Sequence, residues 1–189
     1  QDSIPRYTSA KYLARISLQS PPDLAIQVVE TVLAEFENAL LDDAQKQGEG
    51  RVQGACLALG EMARCGVLAR LPAAEKDDVV KRVLGNTLQV IILRFAAAPC
   101  GESLRASPPQ ALRYDHLSAL HVVGASVRDS AAYVLWSLAR TMPASSIDVT
   151  DAQKLAEHLL CTACLDREVS VRRAASAAWQ ESVGRWVSS

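Results

Sequence analysis

One helical pattern recurs along this chain of 189 residues and limits its fold more than any other feature. Apolar residues three and four positions apart, the spacing of a buried helix face, occur near residues 50–65, 127–140 and 168–184. Aligning these copies places Ala55, Ala131 and Ala175 in register, 76 and 44 residues apart. A weaker copy near the start of the chain aligns Ser9 with Ala55, which lies 46 residues further along. A period in the forties predicts a stack of similar units.

Each copy follows a second helical segment, and these segments occupy residues 21–41, 71–84 and 148–165. Pro22 and Pro72 suit a first helical turn, and Asp148 or Thr150 can cap the third segment. Two helices per unit at this period are typical of HEAT and armadillo repeats, in which each hairpin buries its apolar face against its neighbour. The sequence therefore predicts an all-α solenoid of three to four helical hairpins, with residues 1–189 as one repeat segment.

Residues 85–109 do not fit the period, because 76 residues are too many for one repeat. The first half of this block is apolar, whereas the second half is rich in Gly, Ser and Pro. Either the preceding helix continues to about Ala97 and enters a surface loop, or the block is an insertion outside the repeat. We favour an extended helix followed by a mobile loop, since Gly85 inside a helix costs only about 1 kcal/mol.

Composition narrows the possible functions. The chain carries 20 basic and 21 acidic residues and a net charge of −1, so neither nucleic acid nor an anionic membrane surface is an expected partner. No apolar run reaches the 18 to 20 residues or so of a transmembrane helix, so no membrane insertion is expected. Five cysteines form no even-numbered disulfide framework, which favours reduced thiols inside the cell.

Catalytic and metal-binding motifs are weak. Cys161 and Cys164 form a CxxC pair with His158 three residues earlier, but zinc requires a second pair of ligands. We interpret these cysteines as small packing residues. The glycines of residues 48–54 nearly match a dinucleotide fingerprint, yet no strand precedes them. We therefore expect no catalytic residues, no metal site and no cofactor.

A candidate partner-binding ridge lies on the helix at 127–140, on the face opposite its apolar stripe. Tyr, Trp and Arg are the residue types that most often anchor interfaces. With the matching positions on the flanking copies, the candidate ridge comprises Arg64, Asp129, Tyr133, Trp136, Arg140, Arg173 and Gln180. The alternative is that Tyr133 and Trp136 pack against the adjacent repeat or beneath the segment 98–126.

Five stretches resemble the tubulin-folding cofactor D family, also called tubulin-specific chaperone D. They are SAKYLARIS (9–17), GACLALGEMARCGVL (54–68), LRYD (112–115), VGASVRDSAAYVLWSLAR (123–140) and LDREVSVRRAASAAWQESVGR (165–185). The string RRAASAAWQESVGR is far more specific than a general HEAT pattern. The family is shorter at residues 85–109 and much longer overall, so the resemblance implies a central slice of a longer chain.

The resemblance implies a cytoplasmic, cytoskeleton-associated chaperone. Such a protein would bind β-tubulin and, with cofactors C and E, assemble and disassemble the α/β-tubulin heterodimer. The family is also linked to an Arl-type small GTPase and to stimulation of tubulin GTP hydrolysis. Two functions are therefore open: an interaction scaffold without catalytic residues, or a GTPase-activating module in which Arg128 or Arg173 serves as an arginine finger.

Overall fold

The computed structural model describes residues 3–41, 47–92, 117–118, 121–122 and 124–187. Its α-helices are α1 (Ser3–Gln19), α2 (Pro22–Leu41), α3 (Gln47–Arg64), α4 (Ala73–Ile92), α5 (Ala125–Thr141), α6 (Val149–Leu165) and α7 (Val169–Ser182). Short 3₁₀ turns cover Leu68–Arg70 and Ala144–Ser146, and a π-helical segment covers Val183–Val187. Strands β1 (Leu117–Ser118) and β2 (His121–Val122) pair antiparallel.

Local signals place the helix ends close to where the sequence predicts them. Pro22 is the first residue of α2, and α4 begins directly after Pro72. Asp148 caps α6, because its carboxylate accepts a hydrogen bond from the backbone N–H of Thr150 at 3.1 Å. Gly124 precedes α5 with φ of 97°, a left-handed conformation that favours glycine.

The helices form two rows. Helices α1, α3, α5 and α7 pack side by side as an inner row, and α2, α4 and α6 form an outer row. Consecutive outer and inner helices also pack together, as the hairpins α2–α3, α4–α5 and α6–α7. This arrangement confirms the predicted armadillo or HEAT-like α-solenoid, with three hairpins and one additional inner helix in the described part.

Small residues hold the inner row together. Ala131 in α5 and Ala175 in α7 are completely buried, and Ala55 is buried in α3. The larger side chains that are fully buried in the core include Phe36, Leu33, Leu59, Met62, Leu135 and Leu138. The weaker copy is out of register: Ser9 is exposed, whereas Ala10 is buried. The alignment of that copy is therefore wrong by one residue.

The block at 85–109 divides at the end of α4. Its first eight residues continue the helix through Gly85 to Ile92, and Val90 is buried in the core. The extended helix is thus present in the described part, and this half of the block is integral to the packing. The mobile loop predicted for the second half lies outside the described residues.

None of the helices in the described part combines the length and apolar composition needed to cross a membrane. The two strands of two residues each are the exception to the expectation of a fold without any sheet. Their pairing joins Leu117 with Val122 and Ser118 with His121.

Candidate functional site

Helices α3 and α5 approach closely where Tyr133 lies over Gly60. A Cβ atom at position 60 would stand only 2.7 Å from Cδ1 of the Tyr133 ring, so the missing side chain makes room for that ring. The Tyr133 hydroxyl then donates a hydrogen bond of 2.5 Å to Oε1 of Glu61. Tyr133 is thereby fixed to the neighbouring repeat while one part of its ring stays accessible.

Glu61 is a fully buried carboxylate beside this ring. Nη2 of Arg64, one helical turn further along α3, donates to Oε2 of Glu61 at 2.7 Å. Burial alone would raise the pKa of Glu61, but the hydrogen bonds from Arg64 and Tyr133 outweigh burial and hold that pKa below its ordinary value. Burial and the Glu61 carboxylate both raise the pKa of Tyr133, so its hydroxyl remains a proton donor.

Tyr133 begins a stack that runs along α5. Its ring lies 6.0 Å from the Trp136 ring, centroid to centroid, at an interplanar angle of 20°. The guanidinium carbon of Arg140 lies 5.3 Å from the Trp136 ring centroid, within the range of a cation–π interaction. Tyr133 and Trp136 are half-buried and Arg140 is exposed, so the stack is both ordered and accessible.

The stack continues onto α7 through Glu181. Arg140 reaches the Glu181 carboxylate at 3.8 Å, and Nε of Arg185 donates to the same carboxylate at 2.6 Å. We call the complete set of contacts across α3, α5, α7 and the π-helical segment after α7 the inner ridge. It comprises Glu61, Arg64, Tyr133, Trp136, Arg140, Glu181 and Arg185.

Four of the seven predicted ridge residues lie in the inner ridge, namely Arg64, Tyr133, Trp136 and Arg140. Asp129, Arg173 and Gln180 are exposed elsewhere on α5 and α7. The alternative interpretation is also partly right, because Tyr133 packs against the adjacent repeat at Gly60.

Sequence reasoning did not predict the acidic members of the inner ridge or the role of Gly60. Glu61 stands three residues before Arg64, and Glu181 stands four residues before Arg185. Both spacings allow ion pairs within a helix, and this signal was available in the sequence.

Polar contacts of a different kind join the opposite ends of the inner helices. Nε of Arg128, in the first turn of α5, donates to the Asp166 carboxylate at 2.9 Å, and both side chains are buried. Asp166 also accepts the backbone N–H of Glu168 at 2.9 Å and so fixes the turn that precedes α7. We call the Arg128–Asp166 pair, with this turn, the buried junction.

The buried junction overturns one candidate role. An arginine finger must extend from the surface to a bound nucleotide, whereas Arg128 is 5% exposed and held by Asp166. The suggestion that Arg128 serves as such a finger is therefore wrong. Arg173, the other suggested arginine, is exposed on α7.

The cysteines of the CxxC pair are not packing residues. Cys161 and Cys164 are both free and exposed on α6, so the interpretation of these residues as small core side chains is wrong. Within the described ranges, no group of three or more His, Cys, Asp or Glu side chains is placed to hold a metal ion.

The two rows of helices define a protein class: an α-helical repeat protein of the armadillo and HEAT type. The chain belongs to the family of tubulin-specific chaperone D-like armadillo repeats, which it matches over residues 1–90 and 106–188. The unmatched residues between these ranges fall inside the block at 85–109 that departs from the repeat period.

Two curated relatives are similar to the chain along its whole length. Tubulin-specific chaperone D of Dictyostelium discoideum is 36% identical over 186 residues, covering 98% of this chain and 10% of the relative. Tubulin-folding cofactor D of Schizosaccharomyces pombe is 27% identical over 194 positions, covering 99% of this chain and 15% of the relative. The chain thus spans a small part of the length of both. No solved structure matches it significantly.

Proposed function

We propose that this chain is a repeat segment of a tubulin-folding chaperone and that its inner ridge binds β-tubulin. Membership of the family and the names of the two relatives support a role in tubulin folding. The single observation that carries the choice of surface is the continuous run of contacts through Tyr133, Trp136 and Arg140, which is accessible along α5.

The side chains of this surface are held in place before a partner binds. Large aromatic and arginine side chains contribute most of the energy at interfaces, provided that little entropy is lost when they are fixed. Tyr133 is already fixed by Glu61, and Trp136 is held between Tyr133 and Arg140. A partner surface can therefore cover these side chains at a smaller entropic cost than it would for unrestrained ones.

The wider role follows from the family resemblance and is part of the same proposal. The longer protein would assemble and disassemble the α/β-tubulin heterodimer with cofactors C and E, and would contact an Arl-type small GTPase. Its location would be cytoplasmic and associated with the cytoskeleton. In this proposal the segment contributes binding surface and no catalytic residue.

A GTPase-activating role is the second candidate function. The observation that favours keeping it is the exposure of Arg173 on α7, because an arginine finger must be accessible. To test this function, GTP hydrolysis by tubulin is measured in the presence of cofactors C and E and of the chaperone, either wild type or Arg173→Ala. Unchanged turnover would remove it, whereas a loss on the order of 10³-fold would support it.

Binding of β-tubulin to ridge variants tests the main proposal. Trp136→Ala and Arg140→Ala are each expected to weaken β-tubulin capture by the full-length chaperone. Their effects are expected to add up to at least tenfold, which corresponds to about 1.4 kcal/mol. Lys154→Ala on α6 is the matched control, because Lys154 is 65% exposed on the outer row. Equal capture by all three variants and the wild type would contradict the proposed surface.

A further inference from the structure

The outer row carries a second chemical feature that the tubulin-binding proposal does not use. Cys161 and Cys164 lie in consecutive turns of α6, and both thiols are free and exposed. The buried face of α6 is formed by Ala152, Leu155, Leu159 and Thr162, whereas the two cysteines are exposed. Among the cysteines in the described residues, these two lie on the same helix and are both exposed.

The three-residue spacing places the two cysteines near the separation that a disulfide requires. Side chains three residues apart on a helix have Cβ atoms about 5–6 Å apart, whereas a disulfide requires about 3.5–4.5 Å. A small tightening of the helix closes this difference. Cys164 is the second-last residue of α6, and terminal helical turns adjust more readily than central ones.

We propose that Cys161 and Cys164 form a reactive dithiol that exchanges with low-molecular-weight disulfides of the glutathione type. One cysteine thiolate attacks the disulfide and releases one reduced thiol, which leaves a mixed disulfide on the protein. The second cysteine then attacks the protein sulfur of that mixed disulfide and releases the second reduced thiol. The protein pair loses two protons and two electrons, and the external disulfide gains them.

Cys56 differs from the two cysteines on α6 because it is not accessible to solvent. It is completely buried in α3, and burial raises the pKa of its thiol to about 12. A buried thiol with a raised pKa supplies little thiolate at neutral pH and offers no access to an external disulfide. Cys56 is therefore expected to remain a free thiol under conditions that oxidise the pair on α6.

Tryptic mapping of the folded protein after treatment with oxidised glutathione tests the proposal. Cleavage after Lys154 and Arg167 releases one peptide that contains Cys161, Cys164 and no other cysteine. This peptide is expected to become lighter by two hydrogen atoms and to carry no glutathione. The peptide that contains Cys56 is expected to keep its free thiol.

Single variants separate the two steps of the exchange. Cys161→Ser and Cys164→Ser each remove the resolving thiol, so each is expected to retain one glutathione on the remaining cysteine. Because both positions are exposed, neither change is expected to lower the melting temperature appreciably. A wild-type peptide that stays fully reduced, or that carries two glutathiones, would overturn the proposal.

Discussion

Two arginines on helix α5 bind acidic side chains of the next repeat, yet one lies in a buried environment and the other in an exposed one. Arg128, in the first turn of α5, is 5% exposed and pairs with Asp166 at 2.9 Å. Arg140, in the last turn, is 55% exposed and reaches Glu181 at 3.8 Å. The two positions are about 18 Å apart along the helix. The buried junction and the inner ridge thus lie at opposite ends of one packed pair of helices.

The two pairs are expected to contribute differently to stability. Removal of one partner of a buried ion pair leaves an uncompensated charge in the interior, so the buried junction is expected to stabilise the fold. An exposed pair contributes little to stability, so the side chains of the inner ridge can change their contacts when a partner binds.

Arg128→Ala is expected to reduce the free energy of unfolding by about 3–5 kcal/mol, because the buried Asp166 carboxylate would lose its ion pair with Arg128. Urea denaturation of the variant measures this loss. Arg140→Ala is the control on the same helix and is expected to cost less than about 1 kcal/mol. Equal losses for the two variants would contradict the division between the buried junction and the inner ridge.

Ala175→Leu is expected to reduce stability by about 1–3 kcal/mol, because Ala175 is completely buried in α7, which packs against both α5 and α6. Thermal denaturation of the chain measures the effect. Ala177→Leu places the same side chain two residues away on an exposed position and is expected to be nearly neutral. A harmless Ala175→Leu would mean that α5 and α7 pack less closely than described.

Gly60→Ala is expected to cost about 1–2 kcal/mol, because the new Cβ would lie 2.7 Å from Tyr133 and force that ring out of its place. Gly54→Ala is the control within α3, where no neighbouring atom lies within 4 Å of the new Cβ. That control is expected to stabilise the chain by up to about 1 kcal/mol through helix propensity. Two stabilising glycine replacements would show that Tyr133 does not need this space.

Glu61→Gln is expected to cost about 1 kcal/mol at neutral pH, since the hydrogen bonds to Arg64 and Tyr133 lose the carboxylate charge. The lowered pKa of Glu61 stabilises the fold above the ordinary value of 4.5, and this contribution is lost as pH falls through the folded pKa. The wild type and the variant should therefore converge in strong acid. Urea titrations at neutral and acidic pH measure this difference, and a gap that persists in acid would exclude ionisation of Glu61 as its cause.

Periodicity in the sequence predicted most of the fold. The register of Ala131 with Ala175 and the proline starts of α2 and α4 are local signals, which the repeat architecture preserves. The predicted alignment of Ser9 was wrong by one residue, because that copy has few apolar positions to define its buried face. The β1–β2 pair was not predicted, since two-residue strands are too short for an alternating pattern.

The candidate site was predictable only along single helices. Helical spacing on α5 places Tyr133, Trp136 and Arg140 on one face, and these three side chains are in contact in the structure. The contact of Tyr133 with Glu61 joins residues 72 positions apart and depends on the packing distance between α3 and α5. No single-helix pattern contains that distance, so the buried carboxylate and the role of Gly60 required the structure.

We propose that β-tubulin contacts the inner ridge and not the outer row. A photo-crosslinking aromatic residue placed at position 136, and separately at position 154, tests this in the full-length chaperone with β-tubulin present. We expect a crosslink to β-tubulin from position 136 and none from position 154. A crosslink from position 154 alone would place tubulin on the outer row and contradict binding through the inner ridge.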